Sequence, residues 1–382
     1  MRAELERLVD RLRRARAGAS PREIRETDAL IVGAGAFVLG FLAALICFGG
    51  RTLSITGPWS VGVVAAIGGA VVAIVAFVLG RLALRAEAAE APEAPAADDG
   101  TRDGFATPGQ RLRWYDLGAI GFAHGAIALL GLFALASLIE SGFRDAPVFA
   151  LPGALLVAVS LALTAYVCYL SAAALSPTTI SLILAVFLVI GALTAMVEAT
   201  DPHWWRDNLS ALGMASNASA PAFNGTLIVA GVMVTTIARY ATAALPIQES
   251  RDRRGRDIVR VGLIVMGLLL AAVGVFPVDA FFVLHNTVAT GMAVVFAVIA
   301  VGLPWFLRRI SRVFVALGWV YVLVIAMLAV FFATGYYNLT AVELIAGVLI
   351  FSWIIVFLRT ASVDHGPWDA EREEHRAAVA QR

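Results

Sequence analysis

The chain contains no lysine, since all 29 of its basic residues are arginines. This bias indicates a GC-rich bacterial genome and carries no information about mechanism. Charged residues of both signs are scarce, at 15% of the 382 residues, whereas soluble proteins carry roughly 25%. The deficit excludes an ordinary soluble domain. The net charge is only +1, and we predict no nucleic-acid partner.

Cysteine is also rare, with only Cys47 and Cys168 in the chain. The spans predicted below place Cys47 near the outer end of one helix and Cys168 near the inner end of another. A disulfide requires Cα atoms within roughly 7 Å of each other. We therefore predict two unpaired thiols.

The chain is rich in hydrophobic residues, which make up 60% of the sequence, and its mean hydropathy is +0.84. A bilayer core of roughly 30 Å takes about 20 helical residues per crossing. Ten stretches of the sequence meet that requirement, so we predict an all-α, polytopic transmembrane helix bundle. The predicted spans are 29–50, 60–81, 116–139, 150–174, 178–199, 222–244, 258–279, 281–304, 313–334 and 339–359.

The arginines give this bundle an orientation. With ten spans, 26 of the 29 arginines fall on one side, and only Arg51, Arg144 and Arg206 fall on the other. Basic residues accumulate in cytoplasmic loops. We therefore predict that both termini are cytoplasmic and that the chain is a multi-pass protein of a bacterial plasma membrane.

Composition divides the chain into further segments. Leu5, Leu8 and Val9 share one helical face near the N-terminus, which fits either an interfacial helix on anionic lipid or a short solvated helix. An Ala-, Glu- and Pro-rich stretch without apolar periodicity predicts a disordered linker. The segments are a basic N-terminus 1–28, a hairpin 29–81, the cytoplasmic linker 82–115, two spans in 116–177, a six-span core 178–360 and a cytoplasmic tail 361–382.

Polar groups gather at the outer ends of the core spans, mainly between Asp201 and Asn224. Ionisable groups in or near a bilayer are costly and are therefore the first candidates for a site. The candidate catalytic residues are His203, His285, Asp201 and Asp279. Histidines and carboxylates at one face can hold a metal or exchange protons, but none of them has a recognised ligand spacing. A solvated, hydrogen-bonded loop is the alternative, and we predict no metal and no cofactor.

A second group at this face is predicted to bind rather than react. Its members are Trp204, Trp205, Arg206, Asn208, Ser210, Gly213, Asn224 and Asn286. Asn208 or Ser210 is expected to cap a short turn, which Gly213 ends with positive φ. The loop is either a lid or lipid-headgroup pocket, or a plain connection. Because an imidazole one turn into a span is poorly hydrated, we expect His285 to contact the 201–213 loop.

Elsewhere the sequence offers one further ionisable group within a span. His124 is flanked by Gly121 and Gly125, a spacing that permits close helix contact. We interpret it as a hydrogen-bond donor to a neighbouring helix rather than as part of a proton relay. Arg239, near the inner end of its span, is expected to extend towards the interface.

The order of short motifs in the second half of the chain resembles a known family. The motifs are Asn208-Leu209-Ser210-x-x-Gly213, Phe223-Asn224, Arg260-x-Gly262, Gly274-x-Phe276-Pro277 and Leu284-His285-Asn286. They resemble the uncharacterised prokaryotic membrane family catalogued as domain of unknown function 998. They are more distantly similar to the Frag/DRAM/Sfk membrane proteins of eukaryotes. The resemblance covers roughly residues 178–359; the first four spans and the pair Trp204-Trp205 lie outside the pattern.

The resemblance implies a six-helix unit without an established activity. The eukaryotic proteins are associated with lipid remodelling, lipid asymmetry and membrane trafficking, without an agreed set of catalytic residues. We therefore expect a non-enzymatic, lipid-associated or envelope accessory protein whose partners are membrane lipid and either further copies or envelope proteins. The alternatives are a membrane-embedded hydrolase or transferase acting on outer-leaflet lipid, and a small-molecule transporter. An enzyme would require the histidines and a carboxylate to converge.

Overall fold

The structure, a computed structural model, describes residues 20–90, 113–214, 218–243, 245, 250–308 and 310–363. Within these residues ten helices are long and apolar enough to cross a membrane, which confirms the predicted all-α polytopic bundle. The helices are α1 Pro21–Phe48, α2 Val61–Glu90, α3 Trp114–Gly142, α4 Ala150–Ala173, α5 Pro177–Val197, α6 Ser219–Ala243, α7 Ser250–Val275, α8 Phe282–Phe306, α9 Arg312–Ala333 and α10 Leu339–Val363. The predicted amphipathic N-terminus and most of the tail lie outside the described residues.

The largest extensions beyond the predicted ends are those of α1, α2 and α7, and α7 begins at Ser250 rather than at residue 258. Helix α1 begins at Pro21, because the Ser20 hydroxyl accepts a hydrogen bond from the Glu23 amide and the Glu23 carboxylate accepts one from the Ser20 amide. This reciprocal capping box satisfies two amides that a helix start leaves unpaired. Helix α2 continues to Glu90, so residues 82–90 are helical and not part of a linker. The rest of that predicted linker, up to residue 112, lies outside the described residues.

The chain forms two compact units, of which the first comprises residues 1–98 and 124–174. It contains α1, α2, the part of α3 from His124 onward, and α4. Two short strands, β1 Thr52–Leu53 and β2 Val148–Phe149, pair antiparallel between its helices.

Small residues hold the helices of the first unit together. The alanines at the centre of its core are almost fully buried: Ala29, Ala44, Ala73, Ala76, Ala154, Ala158 and Ala165. A Cβ atom at Gly80 of α2 would lie 2.8 Å from the Tyr169 carbonyl oxygen of α4, so this approach requires glycine. Because lipid is as apolar as the side chains, the hydrophobic effect does little to bring helices together in a membrane. Close contacts between small residues stabilise the packing through dispersion energy instead.

Two predictions concern side chains of the first unit. His124 lies 2.9 Å from the Ser171 hydroxyl of α4 and beside the Phe77 ring, which agrees with a structural contact between helices, although the partner is a hydroxyl and not a carbonyl. Cys47 is exposed and Cys168 is buried, and both thiols are free, as predicted.

The second unit comprises residues 99–123 and 175–382. It therefore contains α5 to α10 together with the first turns of α3. Its aromatic centre is Trp353 of α10, which is fully buried against Phe296 and Phe314 with ring centroids 5.5 and 5.2 Å away. Helices α6 and α7 pack closely, since a Cβ at Gly231 would lie 2.4 Å from the Gly267 carbonyl oxygen.

The second unit has a buried ion pair at the end where its arginines gather, which we call the arginine end. Arg239 donates to Asp116 at 2.9 and 3.2 Å, and Asp116 is only 1% exposed. The Tyr240 hydroxyl and the Arg113 amide also donate to Asp116. Arg239 is 35% exposed and pairs with this carboxylate of α3, a contact that the sequence did not predict; its extension towards the interface stays a prediction.

Candidate functional site at the loop between α5 and α6

The loop between α5 and α6 is built from two short 3₁₀ turns, Trp204–Arg206 and Leu209–Gly213. Asp201 opens the loop by accepting a hydrogen bond from the His203 amide at 2.8 Å. Asn338, just before α10, donates to the Trp205 carbonyl at 2.8 Å and accepts from the Ala341 amide. The same side chain therefore starts α10 and holds the first turn of the loop.

His285 contacts this loop, as predicted. It lies one turn into α8, is 3% exposed, and its Nε2 is 3.0 Å from the Ser210 hydroxyl. Its Nδ1 is 2.7 Å from the Phe276 carbonyl oxygen, which can only accept. This contact selects the tautomer with its proton on Nδ1, in which Nε2 accepts the proton of Ser210.

Glu343 of α10 provides the second contact with the same turn. The Leu209 amide donates to its carboxylate at 2.6 Å, and the Ser210 backbone also hydrogen-bonds to it. A carboxylate that receives amides at the start of a turn satisfies donors that the turn itself leaves unpaired. Glu343 is not among the predicted site residues.

The C-terminal end of the loop is tied to α6. Asn224 donates to the Gly213 carbonyl at 3.0 Å, and the Ser219 hydroxyl donates to the carbonyls of Leu212 and Ala195. The prediction that Gly213 has positive φ was wrong. Its φ is not positive, whereas Gly49, Gly50, Gly57 and Gly335 do have positive φ. Glycine is required there by proximity, since a Cβ would lie 2.4 Å from Asn224 Oδ1.

Asn208 stands at the cap position of the second turn, but its side chain makes no capping hydrogen bond. Its Oδ1 is buried without a partner among the described residues. The predicted capping role of Asn208 is therefore wrong. Ser210, the other predicted cap, instead directs its hydroxyl to His285.

The remaining predicted residues do not join this contact. His203 and Asp201 are 56% and 65% exposed and lie 3.8 Å apart as an isolated pair. Asp279 is exposed, and Asn286 donates to the Phe282 carbonyl of its own helix. Within the residues that the structure describes, no three His, Cys, Asp or Glu side chains form a group able to hold a metal ion.

Trp204, Trp205 and Arg206 form the surface of the loop. The Arg206 guanidinium lies 5.5 Å from the Trp205 ring centroid, within the range of a cation–π contact. Trp205 is 48% exposed. These residues present an aromatic and cationic surface, which is typical of the headgroup region of a membrane.

Below the loop lies an apolar cleft between α5, α6 and α10, with a volume of about 420 Å³. We call it the outer cleft, after the side of the membrane on which the arginine pattern predicts it to lie. Leu209 and Glu343 are at the end near the loop, and Gly347, Phe351 and Ile355 line it along α10. Its rim includes Val189 and Val348, which are 58% and 60% exposed. The cleft is thus open along its side to the surroundings of the helices.

Comparison with known proteins finds one family model that matches part of the chain. Residues 182–360 match the model of the family described as protein of unknown function (DUF998). This confirms the resemblance to domain of unknown function 998, whereas the similarity to the Frag/DRAM/Sfk proteins stays a prediction. No curated protein and no solved structure matches the chain. The matched residues include the loop, His285, Glu343 and the whole outer cleft.

Proposed function

We propose that this integral membrane protein is a non-enzymatic, lipid-associated protein of the bacterial cell membrane that holds one lipid of the outer leaflet in the outer cleft. The observation that carries the proposal is the cleft itself. Its volume of about 420 Å³ falls within the range of roughly 300–1,000 Å³ for ligand sites. Its lining is hydrocarbon apart from Glu343 and the hydroxyls of Thr226 and Ser352, each of which donates to a carbonyl of its own helix. The cleft opens sideways between membrane-spanning helices.

The length of the cleft fits one acyl chain. Between Glu343 and Ile355 helix α10 rises about 18 Å at roughly 1.5 Å per residue. One leaflet contributes about half of a hydrocarbon core of roughly 30 Å. A chain lying along α10 would therefore reach from the headgroup region to about the bilayer midplane.

The groups at the mouth favour a polar headgroup. The Glu343 carboxylate accepts hydrogen bonds from the Leu209 turn and, with about four lone-pair sites in all, keeps acceptor capacity. Arg206 and Trp205 lie in the same loop. A headgroup that offers hydroxyl or ammonium donors to Glu343 matches this arrangement better than an entirely apolar ligand.

The assignment to the outer leaflet depends on the orientation predicted from the arginines. Cysteine substitutions in an otherwise cysteine-free chain test it. A membrane-impermeant maleimide added to intact cells should label Ser141→Cys and leave Ser311→Cys unlabelled until the membrane is opened. Labelling of Ser311→Cys alone would place the cleft in the inner leaflet.

One contact favours a second candidate, a lipid hydrolase or transferase. The Ser210 hydroxyl donates to His285 Nε2, so Ser210 Oγ would attack the acyl carbonyl carbon of a lipid ester as its proton passes to His285. The acyl C–O bond of the lipid would then break, and His285 would return the proton to the departing alcohol oxygen. Against this candidate, both side chains are buried at 8% and 3% exposure, and the orienting partner of His285 is a carbonyl. A fluorophosphonate probe distinguishes the two functions, since labelling at Ser210 would support the enzyme.

The experiment that tests lipid binding uses a glycine inside the cleft. A Cβ at Gly347 would meet no atom within 4 Å, so the side chain of Gly347→Leu extends into the cleft without displacing a neighbour. Gly35 of α1 also has open space and lies outside the cleft. Gly35→Leu is therefore the matched control.

Both variants are purified in mild detergent and incubated with a phospholipid that carries a diazirine on its acyl chain. After illumination, the labelled peptides are quantified by mass spectrometry. We expect labelling of α5 and α10 in the wild type and in Gly35→Leu, and at least a tenfold loss in Gly347→Leu. Equal labelling of these helices in all three proteins would contradict the proposal.

A further inference from the structure

A second groove lies at the arginine end of the second unit, on the outside of α7 and α8. It consists of two adjoining cavities of about 660 and 540 Å³ that share Arg254, Ile258 and Phe306. We call it the arginine groove. It belongs to different helices from the outer cleft and plays no part in the function proposed above.

The deeper part of the arginine groove is apolar. Its walls are Val261 of α7 and Val294 and Val298 of α8, which are 57%, 55% and 59% exposed. Between Val294 and Trp305 helix α8 rises about 16 Å at roughly 1.5 Å per residue. This is about the thickness of one leaflet of a hydrocarbon core of roughly 30 Å.

Glycines of α7 form the floor of the groove. A Cβ at Gly255 would lie 1.8 Å from the Phe306 carbonyl oxygen, and one at Gly262 would lie 2.5 Å from Ile299 Cδ1. The two helices therefore meet where α7 has no side chain. The larger side chains on either side of this contact form the walls, so the groove is a product of the fold.

The end of the groove carries positive charge. Arg251 and Arg254 line it, and both are exposed and form no ion pair within the described part of the chain. Asp257 also borders the groove, but Arg256 pairs with it at 2.9 Å and Arg260 lies 3.9 Å away. The carboxylate is thus already compensated, whereas the two arginines are available to an anion.

Trp305 completes the headgroup end, where it is 63% exposed beside Arg251 and Arg254. Tryptophan favours the membrane interface, because its ring is apolar while its N–H remains hydrated. The order along the groove is therefore cation, interfacial aromatic and hydrocarbon. This order matches the phosphate, glycerol and acyl regions of a phospholipid.

We infer that the arginine groove binds an anionic phospholipid of the leaflet at that end of the protein. The phosphate contacts Arg251 and Arg254, and one acyl chain lies along Val261, Val294 and Val298. Charge complementarity selects the anionic lipid, since a zwitterionic headgroup offers no net charge to the two arginines. A soluble phosphate would leave the apolar walls uncovered.

The test places a photo-crosslinking amino acid at Val294 of the full chain, which is reconstituted in bilayers of equal parts phosphatidylglycerol and phosphatidylethanolamine. The ratio of the two cross-linked lipids is measured by mass spectrometry. We expect a clear excess of phosphatidylglycerol that inorganic phosphate does not reduce. Each arginine near an anionic lipid contributes about a fivefold preference, so Arg251→Gln with Arg254→Gln should lower the ratio by up to about 30-fold.

Two matched controls test whether the effects are specific to the arginine groove. Arg308→Gln with Arg312→Gln removes the same charge from neighbouring positions outside the groove, and it should leave the ratio unchanged. Val298→Trp should reduce the cross-linking of both lipids several-fold, whereas Val313→Trp, at an exposed position outside the groove, should not. A ratio equal to the bilayer composition, competition by inorganic phosphate, or equal losses in the two arginine pairs would overturn the inference.

Discussion

Both units of this chain are built from apolar helices, but the contacts within each unit involve different kinds of side chain. Among the described residues, Ser60 and His124 are the buried polar side chains of the first unit, whereas nine belong to the second. The first unit packs alanine and glycine against each other. The second adds hydrogen-bonded contacts at both ends, around Ser210 and around Asp116.

This difference indicates in which unit side-chain contacts fix the arrangement of the helices more strictly. Packing of small residues brings helices together but tolerates many related arrangements. A buried polar group in a membrane is costly unless its partner is in place, so each such contact fixes one arrangement. The polar contacts of the second unit hold the loop at the mouth of the outer cleft. The ligand site proposed above accordingly lies in the second unit.

The largest effect is expected at the buried ion pair. Asp116→Asn leaves the Arg239 guanidinium without its buried counter-charge. Breaking a fully buried pair costs about 3–5 kcal/mol, and because Arg239 is 35% exposed we expect a cost near the lower end of that range. Thermal unfolding in detergent measures the change. Asp201→Asn, the same substitution at an exposed residue, serves as the control and should have almost no effect.

A compensating variant makes this prediction sharper. Asp116→Asn combined with Arg239→Met removes both charges, and it should recover much of the lost stability because no unpaired charge remains. If Asp116→Asn unfolds at the same temperature as the wild type, this polar contact does not stabilise the second unit.

The next largest effect is expected at His285. Its replacement by alanine leaves the Ser210 hydroxyl and the Phe276 carbonyl without a partner, at about 1–3 kcal/mol for each unsatisfied group. His285→Gln keeps one hydrogen-bonding side chain and should restore part of the stability. Both variants are compared by their melting temperatures in detergent.

Asn286→Ala is the control for His285, since Asn286 hydrogen-bonds only within its own helix. It should unfold close to the wild-type temperature. If His285→Ala retained wild-type stability but abolished fluorophosphonate labelling at Ser210, the contact would be catalytic and the enzyme would replace the lipid-binding proposal.

A smaller effect is expected at Gly213. The methyl group of Gly213→Ala would lie 2.4 Å from Asn224 Oδ1, and relieving such an overlap costs about 1–3 kcal/mol. Gly225→Ala, in open space within α6, should instead stabilise the protein by up to about 1 kcal/mol. Chemical denaturation of the two variants should therefore shift in opposite directions, and shifts of the same sign would contradict the assigned proximity.

The sequence was sufficient for features that depend on local pattern. Hydropathy located every span, and the depth of His285 in α8 predicted its contact with the loop. The sequence did not predict the hydrogen-bond and ion-pair partners that come from other helices. The pairing of Asp116 with Arg239 and of Glu343 with Leu209 requires knowing which helices are neighbours, and many packings of ten apolar helices satisfy the same hydropathy pattern.

Gly213 illustrates a different limit. Glycine at the end of a turn is usually explained by positive φ, and the sequence contains no sign of the alternative. The actual cause is the proximity of Asn224, which only the packing of α6 against the loop creates. The outer cleft was inaccessible for the same reason, since its walls come from three separate helices.

The most direct test of the central claim is an electron cryomicroscopy structure of the full chain in lipid nanodiscs. Lipid binding in the outer cleft predicts elongated density there, with its polar end at Glu343 and its tail along Gly347 and Phe351. The density should be absent from Gly347→Leu. A cleft closed by side chains of α5 and α10, with no room for an acyl chain, would contradict it.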